Sequence, residues 1–208
     1  EVATGPTLPE PPPFVLDGGA PAGYRLSAPG MVLHAAVRGT RLYVATWFAD
    51  PANGNDHFVV VADSLEGSVE TPFLPAWGKA GLSAAPPGAA VLCMESTNGW
   101  TGWQRNDSAG SDLGGSTEAL AGGQLEGVLD LVEAFGALPA ELHLAAVAVQ
   151  TESGGVPVAQ APAGNGDGSL DPGEFLHVSV EGLSDADGDE TLDRLDPEDA
   201  FRVEGTPR

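Results

Sequence analysis

Lysine is almost missing from this chain. Lys79 is the single one in 208 residues, and all 8 Lys and Arg stand against 30 Asp and Glu, a formal net charge of −22. Binding phosphate takes Lys and Arg to neutralise it, so this balance excludes a nucleic acid or an anionic membrane as an electrostatic partner. Cysteine is as scarce. With Cys93 alone there is no internal disulfide framework, and C-x-x-C and H-x-x-x-H spacings do not occur. Long apolar runs are absent too, none approaching the roughly 20 residues that cross a bilayer as a helix. The G-x-S-x-G, P-loop and Rossmann fingerprints are missing, and no residue is assigned a catalytic role.

What remains is the composition of a folded protein. Hydrophobic residues make up 42% and charged residues 18%, too apolar a mixture for a disordered polyelectrolyte. The 29 glycines and 18 prolines mark many turns, with valine-rich runs between them. That pattern predicts an all-β fold, an antiparallel β-sandwich of about ten strands with long loops and one or two short helical turns. Residues 1–13 are proline-rich without apolar periodicity and read as a linker or extended arm. A single sandwich domain is expected over 14–208.

Strands are predicted at 14–17, 23–27, 31–38, 41–48, 57–63, 90–96, 99–105, 125–131, 141–151, 156–160 and 175–180, with a helical turn at 132–135. In 41–48, Leu42, Val44, Thr46 and Phe48 share one face and Tyr43, Ala45 and Trp47 the other. Both faces are largely apolar, as a central strand requires. Residues 64–89 and 106–123 are expected as long loops.

The carboxylates concentrate in an acidic segment at 161–200. In its first part, GNGDGSLDPGEF, Gly168 occupies the sharp-turn position of an EF-hand-type loop. Asn165 and Asp167 then supply side-chain oxygens, Ser169 a backbone carbonyl and Asp171 a further donor, and Glu174 closes the site. Leu170 is the apolar residue that pins the loop to the core. Ala163 stands where such loops carry their first Asp, so one ligand must come from elsewhere. The second part places Asp185, Asp187, Asp189 and Asp193 in alternate-residue spacing with Asp196 as a closing ligand, and Glu190 at the usual glycine position. Without a cation, converging carboxylates repel one another. Calcium is the expected ion, since magnesium prefers fewer protein ligands and more water.

Trp47 lies in an apolar strand and is expected in the core. Trp77 falls in the long loop, and Trp100 and Trp103 flank a hairpin rich in Asn, Gly and Gln. An exposed indole face stacks on the apolar face of a sugar ring, so Trp77, Trp100 and Trp103 are the candidate ligand-binding residues. His34, His57, His143 and His177 are far apart in sequence, so a zinc or copper site would have to assemble across strands. Cys93, between Leu92 and Met94, is expected to be a buried thiol.

The run GTRLYVATWFADPANGNDHFVVVAD, residues 39–63, resembles the family 9 carbohydrate-binding module and the related DOMON-like sandwiches. Leu42-Tyr43-Val44-Ala45 matches the strand before the loop, Asn55-Asp56 the loop, and Val59-Val60-Val61 with Asp63 the strand after it. Residues 125–149 resemble the later strand, helical turn and long strand, and 14–18 (FVLDG) the opening strand. The resemblance implies an exported β-sandwich that serves as an accessory module of larger bacterial polysaccharide-processing or surface proteins. Its sugar clamp of paired tryptophans transfers only onto Trp77, Trp100 and Trp103, whose spacing departs from a recognisable clamp.

The resulting expectation is a non-catalytic, calcium-stabilised module, secreted or at the cell surface, part of a larger multidomain protein and binding a polysaccharide or glycan. The alternatives are a surface or adhesive structural domain without a small ligand, and a polysaccharide-active enzyme using a carboxylate or histidine in residues 64–88.

Overall fold

The structure, a computed structural model, describes residues 14–19, 24–28, 30–48, 55–66, 86–107, 109–120, 123–150, 155 and 157–184. Strands β1 (Tyr24–Ala28), β2 (Met31–Arg38), β3 (Arg41–Phe48), β7 (Ser116–Leu120) and β8 (Gln124–Asp130) form one sheet in the order β1-β2-β3-β8-β7. Strands β4 (Asn55–Ala62), β5 (Ala90–Glu95), β6 (Trp100–Arg105), β9 (Glu141–Gln150) and β10 (Pro157–Ala161) form the other in the order β10-β9-β4-β5-β6, and β11 (Leu176–Ser179) pairs with β9. Every ladder is antiparallel. The expected β-sandwich is present, with eleven strands among the described residues.

Period-2 patterning decides which side chains meet between the sheets. Met31, Leu33, Ala35 and Val37 of β2 and Leu42 and Val44 of β3 face Val59 and Val61 of β4, Leu92 of β5, and Leu142 and Leu144 of β9 in one buried cluster. The central position of β3 is as its two apolar faces predict. Its second face, with Tyr43 and Ala45, is buried on the outside of the first sheet.

Residues 14–17 were expected as a strand. They join no ladder, and residues 14–19 instead pack on that outer face. The Phe14 ring lies 5.4 Å from the Tyr43 ring and beneath the Arg38 guanidinium at 4.6 Å. Gly18 N–H donates to Glu126, and Gln124 Nε2 donates to both Gly18 O and Glu126. Tyr43 Oη donates to Glu126 at 2.9 Å. The fully buried Glu126 carboxyl group is thus held by three donors, which satisfy its oxygens away from water. β7 lies inside the region expected to be a loop. Its sequence, STEAL, lacks the β-branched and aromatic enrichment that marks strands.

The helical turn is α1 (Leu131–Phe135). Asp130 caps it by accepting from Val132 N and Glu133 N, and it also accepts from Thr40 Oγ1 at 2.7 Å, which ties the turn to the β2–β3 hairpin. No helix among the described residues is long and apolar enough to cross a membrane.

His34, on the outer face of β2, sits edge-on to Trp47 at 4.7 Å. Burial, then the charge of Arg25, lowers its pKa from 6.5 to about 4. A histidine that stays neutral on folding binds fewer protons than in the unfolded chain. Its contribution is therefore present above pH 6.5 and is lost as pH falls towards 4. His34→Gln is expected to flatten that part of the stability–pH curve, read by urea unfolding at successive pH values.

Candidate functional site

The segment joining β10 to β11 leaves and re-enters the sheet on the same side of β9. β10 pairs with Ala146–Val149 and β11 with Glu141–Leu144. The residues between form a loop at this break, and two apolar side chains fix it. Leu170 is fully buried and Phe175 nearly so, both in a cluster on the outer face of the second sheet with Phe58, Val60, Val91 and Val147. Leu170 therefore anchors the loop as its position in the sequence predicts.

Within the loop, Gly166 and Gly168 have φ of +89° and +87°. That backbone is strained for other L-residues, which places the expected sharp turn at Gly168. The turns bring the polar side chains together. Asn165 Nδ2 donates to Asp167 at 3.2 Å and to Asp171 at 2.9 Å. Asp167 N donates to Asn165 Oδ1, and Ser169 N to Asp167 Oδ1, each at 2.8 Å. Asn165, Asp167, Asp171 and Glu174, assigned to one site by spacing, thus form one connected group, with Ser169 on its backbone.

Glu174 does something the spacing did not reveal. It is buried, and three donors converge on its carboxylate: Asn165 N, Asp171 N at 3.0 Å and Gln160 Nε2 at 3.0 Å. A carboxylate offers about four lone-pair sites, so one remains. Glu174 closes the loop through hydrogen bonds and has room for single-oxygen rather than two-oxygen coordination. Gln160, on β10, is a part of the site that sequence reasoning missed. Its link to Glu174 spans 14 residues and no local motif announces it. Gly164 lies against the Gln160 amide, where an added Cβ would come within 2.5 Å.

The two aspartates of the loop are shifted in opposite directions. Backbone donation from Ser169, then the Asn165 amide, lowers the Asp167 pKa. Desolvation, then the charge of Asp167, raises that of Asp171, with Glu174 adding to the rise. Of these two carboxylates, Asp171 is the one whose ionised form its neighbours oppose. No three His, Cys, Asp or Glu side chains among the described residues are arranged to hold a metal by themselves. A cation here would draw on Asn165 and on backbone or water oxygens as well. Beside the loop, an open groove of about 510 Å³ is lined by Val158, Gln160, Gly164 and Asp167, among others.

The second acidic run, Asp185, Asp187, Asp189, Asp193 and Asp196, lies outside the described residues, as does Trp77.

The two hairpin tryptophans part company. Trp100 is 40% exposed and its ring lies over Gly102, where a Cβ would meet Cζ2 at 2.6 Å. Around it are Glu95, which accepts from Thr97 and Asn98, and Asn98, whose Oδ1 accepts from Trp100 N. Trp103, expected beside it as a ligand-binding face, is 1% exposed and belongs to the core between the sheets. Three residues along a strand is an odd step, which sends the second indole to the opposite side. Gly115 and Gly127 make its slot, since a Cβ on either would come within 3.0 Å of the indole. Cys93 is buried, as expected, and burial pushes its thiol up, away from the thiolate form.

No family model matches the chain, and no curated protein or solved structure shows significant similarity to it.

Proposed function

We propose that this chain is a non-catalytic extracellular β-sandwich module that binds calcium in the loop between β10 and β11 and carbohydrate on the Trp100 face. One observation carries the calcium reading. The loop gathers Asn165, Asp167, Asp171 and Glu174 into one connected group, pinned by Leu170 at a break in the sheet edge. The ion's own chemistry matches, because calcium takes six to eight oxygen ligands in flexible geometry. Asp167, Asp171 and Glu174 would supply charge, Asn165 a side-chain oxygen, and Ser169 its backbone carbonyl. The ion would tie the end of β10 to the start of β11, which makes its role structural. Calcium titration by calorimetry tests the site, and Asp171→Asn should weaken binding.

The carbohydrate reading rests on Trp100, an indole beside an Asn–Glu–Thr cluster on an edge strand. Such a face offers a flat apolar platform with polar groups at its rim, which is what a pyranose requires. Trp100→Ala is expected to weaken retention on polysaccharide affinity gels about tenfold, or about 1.4 kcal/mol, while leaving the melting temperature nearly unchanged. Failure of the intact chain to be retained on any polysaccharide would reject this half of the reading. The burial of Trp103 favours a second reading, a surface structural domain without a small ligand, because it takes one platform away from the expected set.

A further inference from the structure

β9 and β11 place His143 and His177 directly opposite one another. Their neighbours Leu142 and Leu144 turn into the core, so both imidazoles stand on the outer face of the sheet. The rings stack nearly parallel, at 14° between planes and 4.7 Å between centroids. Glu141, two residues from His143 on the same face, has Oε2 2.9 Å from His177 Nε2. Asp63 adds its charge to the environment of His143.

We propose that His143 and His177 form a cross-strand chelate for a borderline divalent cation of the Zn²⁺ or Cu²⁺ class, with Glu141 as the group that orients His177. Imidazole nitrogen suits these ions, whereas the oxygen-rich loop suits calcium. A metal–nitrogen bond of about 2.0–2.1 Å asks two imidazole nitrogens to approach one point. In the stack their in-plane lone pairs do not converge, but the ring torsion of histidine is soft, so turning the rings out of the stack aims one nitrogen of each at a shared point without moving the backbone. Glu141 at Nε2 favours the tautomer with the proton on that nitrogen, leaving Nδ1 as the ligand atom, the carboxylate–histidine–metal arrangement that recurs in metal sites. No third His, Cys, Asp or Glu among the described residues converges with the pair, so water completes the coordination. The overall charge of −22 raises the local cation concentration.

The test uses the full chain saturated with calcium, so that oxygen-donor sites are filled before Cu²⁺ or Zn²⁺ is titrated. Calorimetry should show one further ion per chain. The Cu²⁺ electron paramagnetic resonance spectrum should carry coupling to two imidazole nitrogens. His143→Ala and His177→Ala should each remove one nitrogen and weaken binding at least about tenfold, and Glu141→Gln should weaken it about tenfold. His177 and Glu141 are more than half exposed (55% and 59%), so the variants at these two positions should melt like the parent. A spectrum without two coupled nitrogens, or affinity unchanged in either histidine variant, would overturn the proposal. The calcium loop stands or falls separately, because its variants leave this titration unaffected.

Discussion

Trp103→Ala is expected to destabilise the protein by about 3–5 kcal/mol, the range for removing a fully buried large aromatic. The indole is 1% exposed and packs among residues of both sheets. The backbone at Gly115 and Gly127 closes directly on it, with Gly115 at a φ of +94° that other residues reach only with strain. Surroundings shaped to one side chain relax little when it is removed, which puts the loss towards the upper end. Trp103 Nε1 is buried without a hydrogen-bond partner among the described residues. Trp103→Phe removes that unpartnered donor while keeping most of the ring, so it should cost less than half as much as alanine. Trp100→Ala, three residues away and 40% exposed, should cost under about 1 kcal/mol. Urea unfolding of the three variants separates the core indole from the surface one.

The second large effect concerns Glu174→Gln, and its sign differs between conditions from that of Asp171→Asn. Glu174 holds two backbone N–H groups and the Gln160 amide, so the amide variant leaves at least one buried donor without its acceptor. That is expected to cost about 1–3 kcal/mol even in chelator. Calcium stabilisation should shrink as well. Asp171 behaves differently because desolvation and the charges of Asp167 and Glu174 raise its pKa. A carboxyl whose pKa is raised on folding binds its proton more tightly when folded. Its ionised form therefore opposes folding, and stability falls as pH rises through its titration range. Asp171→Asn removes this opposition. In chelator it should match or exceed the parent, and in calcium it should lose most of the ion's stabilisation. Melting curves of both variants, each with and without calcium, distinguish a residue that builds the loop from one that binds the ion.

Much of this architecture was legible before any coordinates. The two apolar faces of residues 41–48 announced a central strand, and the apolar runs at 31–38 and 141–151 were recognisable as strands. Leu170 was recognisable as a pin because it was the apolar residue in an otherwise polar loop. What escaped was what depends on pairing. Trp100 and Trp103 looked equivalent as members of one hairpin, and only the register, which sets Trp103 opposite Leu92 and Trp100 opposite Glu95, separates them. Residues 14–17 have strand-like side chains, yet their apolar surface is used against Tyr43 rather than in a ladder. The Gln160–Glu174 bond and the facing of His143 and His177 likewise depend on how β10, β9 and β11 come together, and no spacing rule encodes them.

The claim that the acidic loop is a calcium site is tested most directly by thermal unfolding of the unmodified chain in EDTA and in 10 mM calcium. For a site with a dissociation constant of about 0.1 mM, that concentration contributes about 2.7 kcal/mol. In a chain of this length the midpoint should rise by about 5–10 °C. Superimposable curves in the two solutions would contradict it.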